Sequence, residues 1–366
     1  MHVGKNVWRL LIAVTLLSSI SPLQACTDFK LQAKDGTILI TRSMEFAPDL
    51  KSNLRSSQRG RHFANIIDNK PGLSWKSLYG YLYVDGFGLD ASFDGINEAG
   101  LTFEYLYLPN ETQYQTVPKG KEQQAIPYMY FGDWVLSNFK TVDEVKQALN
   151  QVFVVSLIVP QLGNAVLPAH ASIYDASGRG IVVEFYNNQI NVSDNLGIMT
   201  NSPKYDWHVT NLRNYLNLSA DNPPTTSKEG LNFIATGQGS GAVGLPGDAS
   251  PPSRFIKIAF MLKNVFQAQN STELLNLAQH IINNVDLPAG YVRSVNQGIT
   301  ATDITQWVVF KDISHKVFYY RTYSDLNLRS IKMKDIDFSE NAKPLKMPLA
   351  ANTDVINMTD KFLLSH

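Results

Sequence analysis

The order of elements predicts an α+β fold. A strand run, a helix pair, more strands, further helices and a closing strand run follow one another. They do not alternate one by one, as a doubly wound parallel sheet requires. The chain has 366 residues, 44% hydrophobic and 17% charged, enough to bury a large core. No low-complexity linker divides it and no fixed-period repeat appears. Residues 26 to 345 therefore read as one domain, with 346 to 366 as a tail.

The first 25 residues carry Lys5 and Arg9, an apolar run at residues 10 to 17, and then small residues with Pro22 up to Ala25. This is the pattern of a secretory leader that is removed. The apolar run is too short for a membrane helix, which needs roughly 20 residues, and no later stretch reaches that length. The expectation is a soluble protein exported to the periplasm or secreted, with no transmembrane segment.

Cleavage after Ala25 makes Cys26, the only cysteine, the new N-terminus. Phe29, Leu31 and Ala33 then alternate with polar residues, Lys34-Asp35-Gly36-Thr37 supplies a turn, and Ile38, Leu39 and Ile40 return. A two-residue Asp35-Gly36 loop places Cys26 opposite Glu45, with Arg42 close by. Residues 47 to 78 read as irregular, with a basic patch at Arg55, Arg59, Arg61 and His62 taken as solvated surface. Residues 79 to 107 read as three strands, broken at Asp85-Gly86 and at the turn Asp94-Gly95-Ile96-Asn97-Glu98-Ala99-Gly100.

An amphipathic helix is predicted over residues 126 to 139. Thr141-Val142-Asp143-Glu144 is a capping box opening a second helix to about 152. Strands follow near 154 to 158, 170 to 175, 180 to 185, 189 to 192 and 197 to 200, with Asp175-Ala176-Ser177-Gly178 as a hairpin loop. A helix near 207 to 215, a Gly-rich loop at 237 to 247 and helices over 252 to 266 and 271 to 284 come next. Strands at 302 to 310, 316 to 322 and 326 to 333 close the pattern.

Composition excludes some functions. Lys+Arg and Asp+Glu are equal at 32 each, so no global field favours nucleic acid. One cysteine forbids an internal disulfide, and the seven histidines are scattered, so no zinc spacing exists. Gly239-Ser240-Gly241-Ala242-Val243-Gly244 fits a dinucleotide fingerprint in letters only. Leu245-Pro246-Gly247 interrupts it before any helix could open.

Two readings of Cys26 stay open. Leu23-Gln24-Ala25-Cys26 resembles a bacterial lipobox, which would acylate the cysteine and make a lipid-anchored, non-catalytic binding protein. A strand beginning at Thr27, with no loose tether, favours a cysteine fixed inside the fold. Free cysteine has a pKa near 8.5 and needs a base. His170, His208, His280 and His315 are available, but the flank of a papain-like cysteine is absent, and His208 reads as packed or capping. An N-terminal cysteine carries its own base, an α-amine of pKa about 7.7–8.0. Glu45 could orient that amine and Arg42 could stabilise the thiolate.

These residues resemble the choloylglycine hydrolase and penicillin V acylase family of N-terminal nucleophile hydrolases. The resemblance rests on Cys26-Thr27 with Arg42-Ser43-Met44-Glu45, on residues 94 to 101, on Met199-Thr200-Asn201-Ser202-Pro203 through Arg213, and on Gly237-Gln238-Gly239-Ser240-Gly241 through Arg254-Phe255. It implies a four-layer αββα sandwich of two stacked antiparallel sheets and hydrolysis of linear N-acyl amides through a thioester. It implies no cofactor and no metal, and homotetramers are common in the family. By resemblance, Cys26 is nucleophile and base, Arg42 lies beside the thiol, Arg254 supports the site, and Asn201 with the Tyr107 N–H binds the oxyanion. Glu45 stands where the family carries aspartate. Tyr107 stands where bile salt hydrolases commonly carry asparagine and penicillin V acylases tyrosine, a slight lean toward the latter. Penicillin V, conjugated bile salts and acyl homoserine lactones all remain candidate substrates.

Overall fold

The computed structural model describes residues 25–296, 299–349 and 355–364. The expected leader, apart from Ala25, lies outside them. β1 (Cys26–Gln32) and β2 (Ile38–Phe46) form the anticipated hairpin, but its loop has three residues. Ala33 N–H donates to the Thr37 carbonyl at 2.9 Å, and Gly36 takes a φ of 89°, the left-handed conformation that glycine adopts without strain. The extra loop residue shifts the register by one. Cys26 therefore pairs with Met44, not Glu45, and Asp28 with Arg42. A one-residue slip moves a side chain to the opposite face.

The stretch expected to be irregular holds β3 (Asn53–Ser57), β4 (His62–Ile67) and β5 (Lys70–Lys76). In β4, Asn65 points inward and donates to the Leu73 carbonyl, while Ile66 is exposed, which inverts the usual polarity signal. The basic residues there form ion pairs: Arg55 with Asp85 at 2.5 Å, Arg59 with Glu98 at 2.9 Å and Arg61 with Asp90 at 3.1 Å. β6 (Tyr81–Gly86), β7 (Leu89–Asn97) and β8 (Thr102–Tyr107) are the three predicted strands. Asp94-Gly95 lies inside β7, however, and the chain reverses only after Asn97, whose Oδ1 accepts from the Ala99 and Leu101 N–H groups at 3.0 Å.

β9 (Ala125–Pro127) and a single 3-10 turn precede α1 (Phe131–Asn138), which starts five residues later than predicted. α2 (Val142–Leu149) is capped as expected, Thr141 Oγ1 accepting from the Glu144 N–H at 3.2 Å. Then come β10 (Phe153–Val155), β11 (Ala169–Tyr174), β12 (Gly180–Tyr186), β13 (Gln189–Asp194) and β14 (Ile198–Met199). α3 (Tyr205–Asn211), the hairpin of β15 (Thr226–Lys228) and β16 (Leu231–Phe233), α4 (Pro251–Asn264) and α5 (Ser271–Ile282) follow. The Gly-rich loop carries only a 3-10 turn, Ser240–Ala242, in keeping with the rejection of a dinucleotide motif. The chain ends in β17 (Val292–Asn296), β18 (Ile299–Asp312), β19 (Val317–Thr322), β20 (Asp325–Lys332) and β21 (Lys346–Pro348).

One sheet runs β14-β1-β2-β18-β19-β20, with β17 beside β18, and the other β13-β12-β11-β8-β7-β6-β3-β21. Both are antiparallel throughout. α4 and α5 pack on the first, α1 and α2 on the second, which is the αββα sandwich that the resemblance implies. Strands covered on both faces bury every position, as all nine residues of β2 do.

α1 lies close on its sheet because Gly132 has no side chain. A Cβ there would sit 2.5 Å from the Ser92 carbonyl oxygen and 2.6 Å from the Phe103 ring. Gly132→Ala would gain about 1 kcal/mol of helix propensity, but overpacking costs about 1–3 kcal/mol. The clash against backbone should win. The expected outcome is a lower urea midpoint with an unchanged slope, and a raised midpoint would contradict this packing.

Candidate active site

Cys26 opens β1 and is 2% exposed. Its Sγ lies 3.8 Å from Met44 Sδ, the partner across the ladder. Arg42, two residues back along β2 and so on the same face, brings Nη2 to 3.9 Å from Sγ. Burial pushes the Cys26 thiol up; the Arg42 charge opposes that, a Glu45 carboxylate would add to it, and a hydrogen bond from the Glu45 backbone and the Arg254 charge oppose it more weakly.

Arg42 is wholly buried and reaches across the gap between the sheets. The pairing of β7 with β8 stops at Asp94–Glu104. Beyond it, Arg42 takes the Phe93 carbonyl through Nη1 at 3.4 Å and the Tyr105 carbonyl through Nη2. The guanidinium thus satisfies two acceptors that a continued ladder would have paired. Its Cζ also sits 4.9 Å over the Trp307 ring, a cation–π contact.

A second set of groups holds the backbone of Cys26. Its N–H donates to Asn201 Oδ1 at 2.6 Å. Arg254, from the first turn of α4 and 1% exposed, donates Nη1 to the Cys26 carbonyl at 2.5 Å and to Thr27 Oγ1 at 2.6 Å, and Nη2 to Asn201 Oδ1 at 2.7 Å. One planar fork fixes three acceptors in a set geometry, with two of its nitrogens spread between the Cys26 backbone and Asn201. With its oxygen claimed twice, Asn201 turns Nδ2 toward the Tyr107 carbonyl at 2.8 Å, leaving one N–H of that amide for another acceptor.

Tyr107 sits at the end of β8. Leu108 N–H bonds the Pro168 carbonyl, so the neighbouring Tyr107–Ala169 pair is a non-hydrogen-bonded one. The Tyr107 N–H therefore turns away from β11, to the side on which its carbonyl meets Asn201.

The loop carrying Asn201 is clamped by two histidines. His170 Nε2 meets the Thr200 carbonyl at 2.9 Å while its Nδ1 meets Glu184 at 3.2 Å, and His208 Nε2 meets the Asn201 carbonyl at 2.8 Å. Sequence reading gave His208 as packed, which its stacking on Phe255 at 4.8 Å bears out, but neither histidine was assigned to this clamp. The long separation of partners, 30 residues for His170 and Thr200, left no local signal.

Glu45 lies on the other face of β2, where Thr305 Oγ1 donates to Oε1 at 2.8 Å. Burial pushes its carboxyl up to about 8, with Arg254 opposing. Its backbone N–H, not its carboxylate, touches the residue preceding the thiol, donating to the Ala25 carbonyl at 3.0 Å. The other five predicted site residues thus gather around Cys26, but Glu45 is not opposite it. Among the described residues no group of three His, Cys, Asp or Glu side chains is placed to hold a metal, and no helix is long and apolar enough to cross a membrane.

Residues 26–347 match the profile of the linear amide C–N hydrolases of the choloylglycine hydrolase family. A bile salt hydrolase/transferase of Clostridium perfringens is 34% identical, over 86% of this chain and 94% of its own length. A penicillin V acylase of Pectobacterium atrosepticum is 28% identical, over 94% and 90%. Among solved structures, a conjugated bile acid hydrolase from Clostridium perfringens superposes with a TM-score of 0.79 at 31% identity, covering 91% of this chain and 99% of that one. A penicillin V acylase from Agrobacterium tumefaciens has a TM-score of 0.73 at 24% identity, covering 89% and 92%, and shares the fold.

Burial lowers His208 to about 4 from its ordinary value of 6.5, the Asn201 carbonyl opposing. The depressed folded-state pKa means that the unfolded chain takes up a proton first as pH falls. The stabilising contribution is complete above pH 6.5 and is lost as pH drops toward 4, at up to about 1.4 kcal/mol per pH unit. His208→Gln keeps an N–H for Asn201 and removes the titration. Its stability, measured by urea unfolding from pH 7 to 4.5, should fall less steeply than that of the unsubstituted protein. Parallel slopes would show that His208 is not buried as a neutral ring.

Proposed function

The chain belongs to the linear amide C–N hydrolases of the choloylglycine hydrolase family, and from that premise we propose that it is an exported amidase acting through an N-terminal Cys26. The observation that carries this reading is the convergence of Arg42, Asn201 and Arg254 on one residue, Arg42 at its sulfur and the other two at its backbone.

Removal of the leader converts the Cys26 amide nitrogen into an amine that Asn201 Oδ1 is already placed to orient. The amine takes the thiol proton, at a pKa of about 7.7–8.0 in model peptides. The thiolate, facing Arg42, attacks the acyl carbonyl to form the C–S bond. The carbonyl oxygen, now an oxyanion, takes the remaining Asn201 N–H and the Tyr107 N–H; one such donor is worth about 2.7–4 kcal/mol. The ammonium returns the proton to the departing nitrogen as the C–N bond breaks, leaving a thioester that water hydrolyses. Glu45 turns its carboxyl, pushed up to about 8 by burial, to the other face of the strand, and it favours the thiolate through its backbone N–H and not through its side chain.

The substrate is an N-acyl amide with an apolar acyl group. Tyr107 leans the reading toward penicillin V, whereas the relative at 34% identity is a bile salt hydrolase/transferase. Release rates of phenoxyacetate from penicillin V, of glycine or taurine from conjugated bile salts, and of fatty acid from acyl homoserine lactones rank the three. The lipid-anchored alternative needs room for a diacylglyceryl group on Cys26, a residue that is 2% exposed, and the burial argues against it.

Intact mass of the mature protein should begin at an unmodified Cys26. A mass carrying a diacylglyceryl group there would remove the amine and the mechanism with it. Cys26→Ala should abolish hydrolysis with the melting temperature close to that of the unsubstituted protein, while persisting turnover would sink the nucleophile assignment. We also propose a homotetramer formed through the arm around β15 and β16. Residues 220 to 234 are all exposed, and Leu231, Phe233 and Ile234 stand out from them. Sedimentation should give a tetramer that Leu231→Asp with Phe233→Asp dissociates; a monomer in both would contradict the assignment.

A further inference from the structure

Behind Arg42, the layer between the sheets is ionic, although such layers are ordinarily apolar. One row across the second sheet reads Val84, Asp94, Glu104, Ser172, Val182, so two carboxyls stand side by side on the inner face. Facing them from the first sheet are Asp28 and Arg42, paired across β1 and β2, and Lys311, two residues along β18 from the partner of Arg42. Arg42, Lys311, Asp94, Glu104 and Asp28 are each 0% exposed. Like carboxyls placed opposite each other are destabilising, and buried charge costs several kcal/mol per ion unless it is matched.

The matching is uneven. Lys311 Nζ lies 2.7 Å from Asp94 Oδ1, 2.8 Å from Oδ2 and 2.6 Å from Glu104 Oε1. Arg42 Nη1 reaches Asp94 Oδ2 only at 3.5 Å. Asp94 thus spends both oxygens on Lys311, and Arg42 spends its own donors on Phe93, Tyr105 and the face of the thiol. Asp28 is served by Ser172 at 2.7 Å and Tyr174 at 3.1 Å.

We propose that Lys311 is a positioning residue for the nucleophile: by satisfying Asp94, it keeps the Arg42 guanidinium free to face Cys26 Sγ. Without Lys311, Asp94 would be a buried carboxylate with Arg42 as its one remaining cation partner, and closing their contact to a full ion pair would draw the positive charge away from the sulfur. Burial pushes the Glu104 carboxyl up to about 8 and that of Asp28 up to about 6, in each case with Lys311 opposing. From the far side of β1 and β2, Glu45 and Arg254 also act on the thiol and are untouched by these changes.

The inference rests on Cys26 as nucleophile, and its test reads the thiol directly, so it stands apart from the turnover of any substrate. Cys26 is the only cysteine, so alkylation of the mature protein by iodoacetamide, followed by intact mass against pH, reports one group. Lys311→Met should move the alkylation midpoint up by about one pH unit, within the range ascribed to a charge at this distance. Adding Asp94→Asn, which removes the competitor for Arg42, should bring the midpoint back to that of the unsubstituted protein. Loss of packing around Lys311 alone predicts no such rescue. An unshifted Lys311→Met, or a double variant shifted as far as the single, overturns the proposal. Should Lys311→Met not fold, Asp94→Asn alone decides: its midpoint should stay or fall, and a rise overturns the assignment.

Discussion

The buried guanidinium of Arg42 is the interaction on which the rest of the site depends. An arginine has five fixed donors and cannot be deprotonated in a protein, so burying one obliges the fold to supply acceptors. Here they come from the opposing sheet, at the point where β7 and β8 part and the Phe93 and Tyr105 carbonyls need donors. The same group therefore joins the two sheets and presents positive charge to Cys26. The positive charge at the sulfur and the cohesion of the sandwich come from one contact, which explains why a costly charged residue sits where an aliphatic one would pack more cheaply.

β1 separates the work done on Cys26 into two faces. On the inner face lie the sulfur, Met44 and Arg42; on the helix face lie Thr27, Glu45 and Arg254. Strand alternation keeps these sets apart, so the charge near the sulfur and the bonds that orient the backbone are set by different elements. Arg254 arrives from α4, the helix packed on β1, and Asn201 from the loop after β14, the edge strand beside β1. Layers and sheet order together bring residues 26, 42, 201 and 254 to one place.

What could be read from the sequence was local or modular. The β1–β2 hairpin was legible from its alternation, the Thr141 cap from its spacing to Glu144, and the site residues from short blocks in a recognisable order. What failed had remote causes. The Cys26 register depended on whether the loop used two residues or three. Asp94-Gly95 has the letters of a turn, but Lys311, 217 residues away, makes a buried aspartate tolerable inside β7. The strands β3 to β5 were hidden because ion pairs and the inward Asn65 replace the apolar residues that alternation arguments look for.

The histidines bear on the chemistry by where they are. Among the described residues His170 and His208 reach the site, and each places Nε2 at a carbonyl of the Thr200–Asn201 segment, so their ring nitrogens brace the loop that holds the Cys26 nitrogen. Burial keeps His208 neutral at physiological pH, which suits a donor to a carbonyl and makes it a poor proton acceptor. The titratable group closest to the thiol proton in covalent terms is then the amine on the same residue. In the mechanism proposed above, a cysteine at the first position of a buried strand, with an arginine at its sulfur and its nitrogen held by an asparagine, takes its base from its own amine.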